Sequence, residues 1–227
     1  MSTEYEGHRN RIKKRFLNEG LKSFEPHNVL ELLLCYTIPR VDTKQLARTL
    51  IKTFGSFGAV LDADYNSLIR VEGVGDNTAT FLKLLPETFR YYEVEKSRVG
   101  FVANSTDAAM KFAKAYYIGE TNELCYLLCF NSKLKLINCV KVSEGSFNAA
   151  GISLRRVVEI ATIHKAASVI LMHNHPGGTA IPSKEDIETT NKIYKALKVI
   201  GIELNDHIIA ADSECISMAN EGIIQNI

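Results

Sequence analysis

The stretch Leu171-Met-His-Asn-His-Pro-Gly-Gly-Thr-Ala-Ile-Pro-Ser-Lys-Glu-Asp186 carries the densest chemistry in the chain. Val169 to Met172 is an unbroken apolar run that reads as a buried strand, which puts His173 and His175 at its C-terminal end. Strand side chains alternate faces, so two imidazoles at this spacing point the same way and can share one metal ion. Pro176, Gly177 and Gly178 then turn the chain, and Pro182-Ser183 opens a helix with Asp186 in its first turn. Two His on a strand end and one carboxylate at a helix start give three N/O ligands on two rigid elements. A fourth tetrahedral position stays open to water, which is the layout of a catalytic Zn²⁺ site. Each part also has a plainer reading. Ser183-x-x-Asp186 is a capping-box helix start, and a single His at a strand end is ordinarily a satisfied polar residue.

Elements of two textures must position these residues. From Glu6 to Tyr92 the pattern is helical: Arg9–Asn18 closing at Gly20, Pro26–Cys35, Thr43–Phe54 with Asp42 as N-cap and Gly55 as stop, and Asn77–Tyr92. Beyond Phe101, helices at Ser105–Tyr117, Ser153–Lys165 and Ser183–Ile200 interleave with β-rich runs. Those runs are Glu123–Phe130, Lys133–Val142, Ser168–His173, Leu204–Ala210 and Cys215–Met218, with a turn at Asn131-Ser132. The expected class is therefore α/β: an all-helical domain over residues 1–95 and a mixed-sheet domain over 101–227, joined by a polar linker at Glu93–Gly100.

Composition bounds the rest. At 46% hydrophobic and 23% charged over 227 residues, the chain has material for a core, which excludes disorder, collagen-like repeats and coiled coil as descriptions of the whole. No window approaches the roughly 18 consecutive apolar residues of a membrane span, and Met1–Asn10 has no apolar leader, so a cytoplasmic protein is expected. Five cysteines without a Cys-x-x-Cys pair fit neither a disulfide framework nor a thiolate zinc site. Residues 1–100 carry 15 Lys/Arg against 13 Asp/Glu, and residues 101–227 carry 12 against 13, so neither half is a strongly basic nucleic-acid binder. The run His8–Arg15 concentrates five positive side chains, either as a solvated helix face or as a phosphate contact.

A second signal is Val71-Glu-Gly73-Val-Gly75-Asp-Asn-Thr-Ala79. Gly-x-Gly between two helices resembles the hairpin of helix-hairpin-helix modules, where amides at the following helix start face a DNA phosphate. Gly73, Gly75 and Lys83 are the candidate DNA contacts, and Asp76 opposes them by placing a carboxylate at the same spot. The alternative is a packing turn without DNA. A dinucleotide fold is excluded, because no strand precedes the glycines and the third is missing.

His173-x-His175, seven residues, Ser183, two residues, Asp186 resembles the JAMM signature of JAB/MPN metalloproteases. His-Asn-His-Pro followed by a Gly-containing loop and Pro-Ser-x-x-Asp resembles the RadC-type branch in particular. Gly145–Arg156 is similar to that branch's link between strand and helix, and Asp206-His207-Ile-Ile to its late strand. Gly177, Thr179 and Ile181 depart from the more usual Ser, Asp and Thr; none is a ligand position, so they bear on loop shape and substrate contact. The resemblance implies a Zn²⁺ held by His173, His175 and Asp186, and an upstream glutamate as general base. Glu123 is the choice, from the order of elements, and Glu144 the rival, whereas Glu120 is expected in solvent. It further implies that Ser183 donates a hydrogen bond to the developing oxyanion. Asn174, on the opposite face from the two His, is expected to organise the loop.

The expected function is a zinc-dependent hydrolase of peptide or isopeptide bonds, with possible recruitment to DNA by the helical domain and the DNA-repair association the RadC name carries. The alternatives are a DNA-binding repair accessory protein whose metal site is structural or vestigial, and a metal-dependent nuclease.

Overall fold

The computed structural model of the protein describes residues 4–39, 41–98, 105–145, 154–212 and 214–224. The chain divides into two compact units, Met1–Thr88 and Phe89–Ile227.

The first unit is helical: α1 (Glu4–Glu19), α2 (Pro26–Thr37), α3 (Lys44–Phe54), α4 (Phe57–Asp62), α5 (Tyr65–Ile69) and the first part of α6 (Asp76–Arg98). Local chemistry sets the boundaries. Pro26 lacks the N–H that a first helical residue leaves unused. The Asp42 carboxylate accepts from Lys44 N–H at 2.9 Å and so starts α3, although Thr43 occupies the cap position itself. Ser56 and Asp64 cap α4 and α5 through their side-chain oxygens. Leu30, Leu34, Leu50, Leu68 and Leu82 are fully buried and form the centre of this unit. Each contributes about 1.5–3 kcal/mol by leaving water.

α6 runs through Pro86 to Arg98, so the polar stretch expected as a linker from Glu93 is helical to that point, and Gly100 lies outside the described residues. Val94 explains the continuation, since it packs against a buried cluster of the second unit and gives the helix end an apolar anchor.

The second unit holds α7 (Thr106–Tyr116), β1 (Leu124–Phe130), β2 (Leu136–Glu144), α8 (Leu154–Ile163), β3 (Ser168–Asn174), α9 (Lys184–Val199), β4 (Glu203–Ala211) and β5 (Glu214–Ser217). The five strands form one sheet in the order β2-β1-β3-β4-β5. β1 is antiparallel to β2 and β3, β3 is parallel to β4, and β4 is antiparallel to β5, which is the mixed sheet the sequence implies. β2 begins three residues later than expected. The Asn131 carboxamide oxygen accepts from the N–H groups of Lys133 and Lys135, which holds the turn through Leu134.

Alternation along β3 sorts its side chains between two layers. Val169 and Leu171 join Val157, Ile160, Ala161, Ile193 and Leu197 of α8 and α9 on one face. Ile170 and Met172 join Ala109, Phe112 and Ala113 of α7 on the other. Period two carries His173 to the α8/α9 face and Asn174 to the α7 face. Among the described residues, no helix is long and apolar enough to cross a membrane.

Candidate metal centre

β3 is buried along its whole length and delivers His173, with no exposure, to the end of the sheet. His175 follows in the turn that Gly177 makes at a φ of 66°, a conformation that disfavours any side chain. The two Nε2 atoms are 2.9 Å apart. α9 begins beside them, and its capping box is complete: Ser183 Oγ accepts from Asp186 N–H at 3.1 Å, and Asp186 Oδ2 accepts from Ser183 N–H at 2.6 Å. The plain reading of Ser183-x-x-Asp186 and the ligand reading therefore coexist. The capping bond fixes Asp186 so that its two oxygens lie 3.4 Å from His173 Nε2 and 3.6 Å from His175 Nε2.

Glu123 enters from the residue before β1. A ligand atom of Glu123, His173 and His175 each lies within 4.8 Å of the others, so the structure brings this glutamate to the His pair. Glu144 is placed elsewhere: its exposed carboxylate meets Lys141 Nζ at 2.8 Å and Asn122 Nδ2 at 3.5 Å. Glu120 pairs with Arg90. The link Gly145–Arg156 falls largely outside the described residues.

The donor set suits a cation. His175 Nδ1 lies 2.8 Å from the Thr179 carbonyl, which can only accept, so Nδ1 carries the hydrogen and Nε2 of the neutral ring offers a lone pair. Thr179 makes this bond with its backbone, so the departure of its side chain from the resembled pattern leaves the bond intact. Two imidazole nitrogens and a buried carboxylate facing one point are acceptors that need a positive charge between them, and N/O donors of this kind fit Zn²⁺.

A proton on His175 Nε2, shared with Asp186, answers the same need that a cation would. The Asp186 hydrogen bond raises His175 above the usual imidazole range, against the effect of burial. Burial pushes His173 well below that range, helped by the neighbouring His207. Burial alone raises the Asp186 carboxyl, but hydrogen bonding with His175, the His173 ring and the Ser183 contacts prevail and lower it.

Sequence reasoning missed His207 and Thr190. His207 on β4 is fully buried, with Nε2 2.7 Å from His173 Nδ1 and Nδ1 2.6 Å from Thr190 Oγ1 on α9. Burial pushes its imidazole down to about 3, with His175 adding to the effect. The available signal was Asp206-His207-Ile-Ile, whose resemblance marks only a late strand but which places a His directly before apolar strand residues.

The candidate DNA contacts lie in the first unit and are placed less favourably. Gly73 adopts a φ of 91°, a backbone conformation that disfavours any side chain, so the turn itself accounts for that glycine without a phosphate. Gly75 has open space around it at the start of α6. Lys83 departs from its expected place beside the hairpin: its ammonium donates to the Leu61 carbonyl at 2.9 Å and the Asp62 carbonyl at 3.4 Å. Those carbonyls end α4 and have no partner within that helix, which is what draws the charge there. The Asp76 carboxylate accepts from the Tyr65 hydroxyl. Two of the five charges in His8–Arg15 also serve the fold. Arg9 donates to the carbonyls of Ile38 and Val41, each at 2.5 Å, and Arg15 to that of Ser23 at 2.5 Å.

Residues 103–223 match a family model described as a RadC-like JAB domain. A UPF0758 protein of Fusobacterium nucleatum subsp. nucleatum is 35% identical over 226 residues, covering 96% of this chain and 97% of the relative. A UPF0758 protein of Ruegeria pomeroyi is 33% identical over 217 residues, with 96% and 97% covered.

Proposed function

The chain belongs to the RadC-like JAB domain family, and on that premise we propose that it is a zinc-dependent hydrolase of the JAB/MPN type that cleaves a peptide or isopeptide bond. The observation that carries this reading is the convergence of Glu123, His173 and His175 within 4.8 Å, with the Asp186 carboxylate 3.4 and 3.6 Å from the two rings. His173, His175 and Asp186 would hold the zinc. When bound, the metal supplies Lewis-acid activation of a water and of the scissile carbonyl.

The chain's own groups do the rest. Glu123 accepts the proton of the attacking water at its carboxylate and returns it to the leaving amine. Ser183 Oγ accepts the Asp186 amide hydrogen, which leaves its own hydrogen to be donated. That donor is suited to the carbonyl oxygen of the substrate as negative charge develops on it, an interaction worth a few kcal/mol where such donors have been removed. Ile181, in the loop between the His pair and α9, is 71% exposed and offers an apolar contact to a substrate chain.

A purely structural zinc site is closed by four protein ligands and would need Glu123 as the fourth, whereas the catalytic reading keeps Glu123 beside the metal and leaves that position to water. The partial exposure of Glu123, which lets water reach it, supports the catalytic reading. The deciding experiment incubates the zinc-loaded protein with fluorogenic α-linked peptides and Lys Nε-linked isopeptides, with and without chelator. Cleavage that chelator stops and zinc restores is the expected result. Stoichiometric zinc with no cleavage of any member of the set favours the accessory reading, and nicking of supercoiled DNA instead favours the nuclease.

A further inference from the structure

His207 and Thr190 form a hydrogen-bonded chain behind His173 whose direction follows from one donor. Thr190 Oγ1 lies 2.6 Å from the Asp186 carbonyl oxygen one turn earlier on α9. A carbonyl can only accept, so the single hydroxyl hydrogen of Thr190 is donated there. The same oxygen lies 2.6 Å from His207 Nδ1, so it must accept at that contact, and His207 Nδ1 carries the hydrogen. Thr190 and His207 are both fully buried, and an ionised imidazole at such a depth is costly, so the ring has one hydrogen and its Nε2 is bare. His173 Nδ1, 2.7 Å away, is then the donor, and His173 Nε2 is left as a lone pair facing His175 and Asp186.

We propose that Thr190 and His207 are positioning residues that hold His173 as its Nδ1–H tautomer and so present its Nε2 as a ligand. The inference rests on the zinc reading given above and adds what makes one ligand competent. The arrangement ties three elements together. β3 supplies the ligand, β4 runs parallel to it and supplies His207, and α9 supplies both Asp186 and, four residues on, Thr190. A carboxylate or backbone carbonyl is the common acceptor behind a metal-bound imidazole. Here a second imidazole acts as acceptor, and it can do so only while a hydroxyl keeps its own hydrogen on the far nitrogen. Were the chain reversed, His173 Nε2 would carry a hydrogen and close the ligand position.

The tautomers can be read directly, without activity. Long-range ¹H–¹⁵N correlation on the ¹⁵N-labelled, metal-free protein separates Nδ1–H from Nε2–H rings. His173 and His207 are both expected as Nδ1–H, and His173 as Nε2–H in the wild-type protein overturns the proposal. Thr190→Val keeps the shape but removes the oxygen, so His207 loses its fixed direction. His173 should then populate the Nε2–H form, and zinc affinity measured by chelator competition should fall about 10–100-fold. His207→Gln retains an acceptor for His173 and a donor for Thr190 and should restore affinity to within a few-fold of wild type, whereas His207→Leu should not. A merely space-filling role predicts the reverse order for these two variants, and that order overturns the proposal, as do unchanged tautomers and affinity in Thr190→Val. If Thr190→Val does not fold, the wild-type spectrum and the Gln/Leu pair decide. Wild-type protein with the stated tautomers but no zinc affinity upholds the hydrogen-bond chain and defeats the zinc hydrolase reading instead.

Discussion

Asn174 grips the backbone on both sides of Glu123. Its Oδ1 accepts from Leu124 N–H at 2.7 Å and its Nδ2 donates to the Asn122 carbonyl at 2.9 Å, while the Glu123 carbonyl itself accepts from Gly145 N–H at 2.9 Å. The residue between the two His therefore points away from them and reaches round to the glutamate that faces them. Asn174→Ala leaves the buried Leu124 N–H without its partner, which should destabilise the fold by about 1–3 kcal/mol in urea titration. Zinc should still bind, because His173, His175 and Asp186 keep their own supports. Hydrolysis should fall much further than zinc content, and parallel loss of the two would remove the positioning role.

The metal prediction is read by composition. Zn²⁺ should be stoichiometric in the purified protein and absent after His175→Ala, with the fold retained because the His175 side chain is 22% exposed. Unchanged zinc in metal analysis of this variant excludes the site.

The two glutamates separate cleanly. Glu123→Gln keeps the shape but cannot take a proton, so turnover should disappear while zinc remains. Glu144→Gln should change turnover little, since that carboxylate lies on Lys141 and Asn122. If the two variants behave the other way round, the general base is Glu144.

These predictions draw on parts of the protein that were unequally legible. His173, His175, Ser183 and Asp186 could be read because strand alternation and a helix cap place them within a single stretch of sequence. The face of Asn174 followed from the same alternation, but its grip on β1 did not, because that depends on antiparallel pairing with a strand some 50 residues earlier. Glu123 has no spacing signature, and only the resemblance and the order of elements pointed to it. The His207–Thr190 chain was invisible for a related reason: 34 residues separate His173 from His207, and only the parallel pairing of β3 with β4 brings them together. In the helical unit, α4 and α5 have 6 and 5 residues, too few to show a period. The end of α6 looked like a linker because it is mostly polar, with Val94 only partly buried against the cluster it packs on.

The thiols make the protein lose stability in alkali. Burial raises Cys139 from 9.0 to about 12 and Cys215 from 9.0 to about 12. A thiol with a raised folded value holds its proton more tightly in the folded state than in the unfolded one. Its contribution is complete below 9.0 and is lost as pH rises from there towards about 12, because unfolding then releases a proton. The urea midpoint should fall between pH 9 and 11, and Cys139→Ala should flatten that slope. Native Cys139 should also react slowly with disulfide reagents at pH 8, since the thiolate is the nucleophile.

The remaining prediction concerns DNA and the start of α6. The N–H groups at a helix start, beside the open space at Gly75, form an anion site in principle, and duplex or branched DNA should bind there without sequence preference. Binding should be weak. Residues 1–100 carry only 15 Lys/Arg against 13 Asp/Glu, Arg9 and Arg15 are held by carbonyls of the same unit, and Asp76 places a carboxylate at the anion position. Phosphate contacts release counterions, so the logarithm of affinity should fall with that of salt by about 0.9 per phosphate engaged. Asp76→Asn should tighten binding by removing the opposing charge. Lys83→Met should leave it nearly unchanged, because that ammonium lies on the Leu61 and Asp62 carbonyls and not at the hairpin. Fluorescence titration of the full chain with labelled duplex at low and moderate salt reads all three. Absence of binding even at low salt makes Gly73 and Gly75 a packing turn and leaves the helical unit without a DNA role.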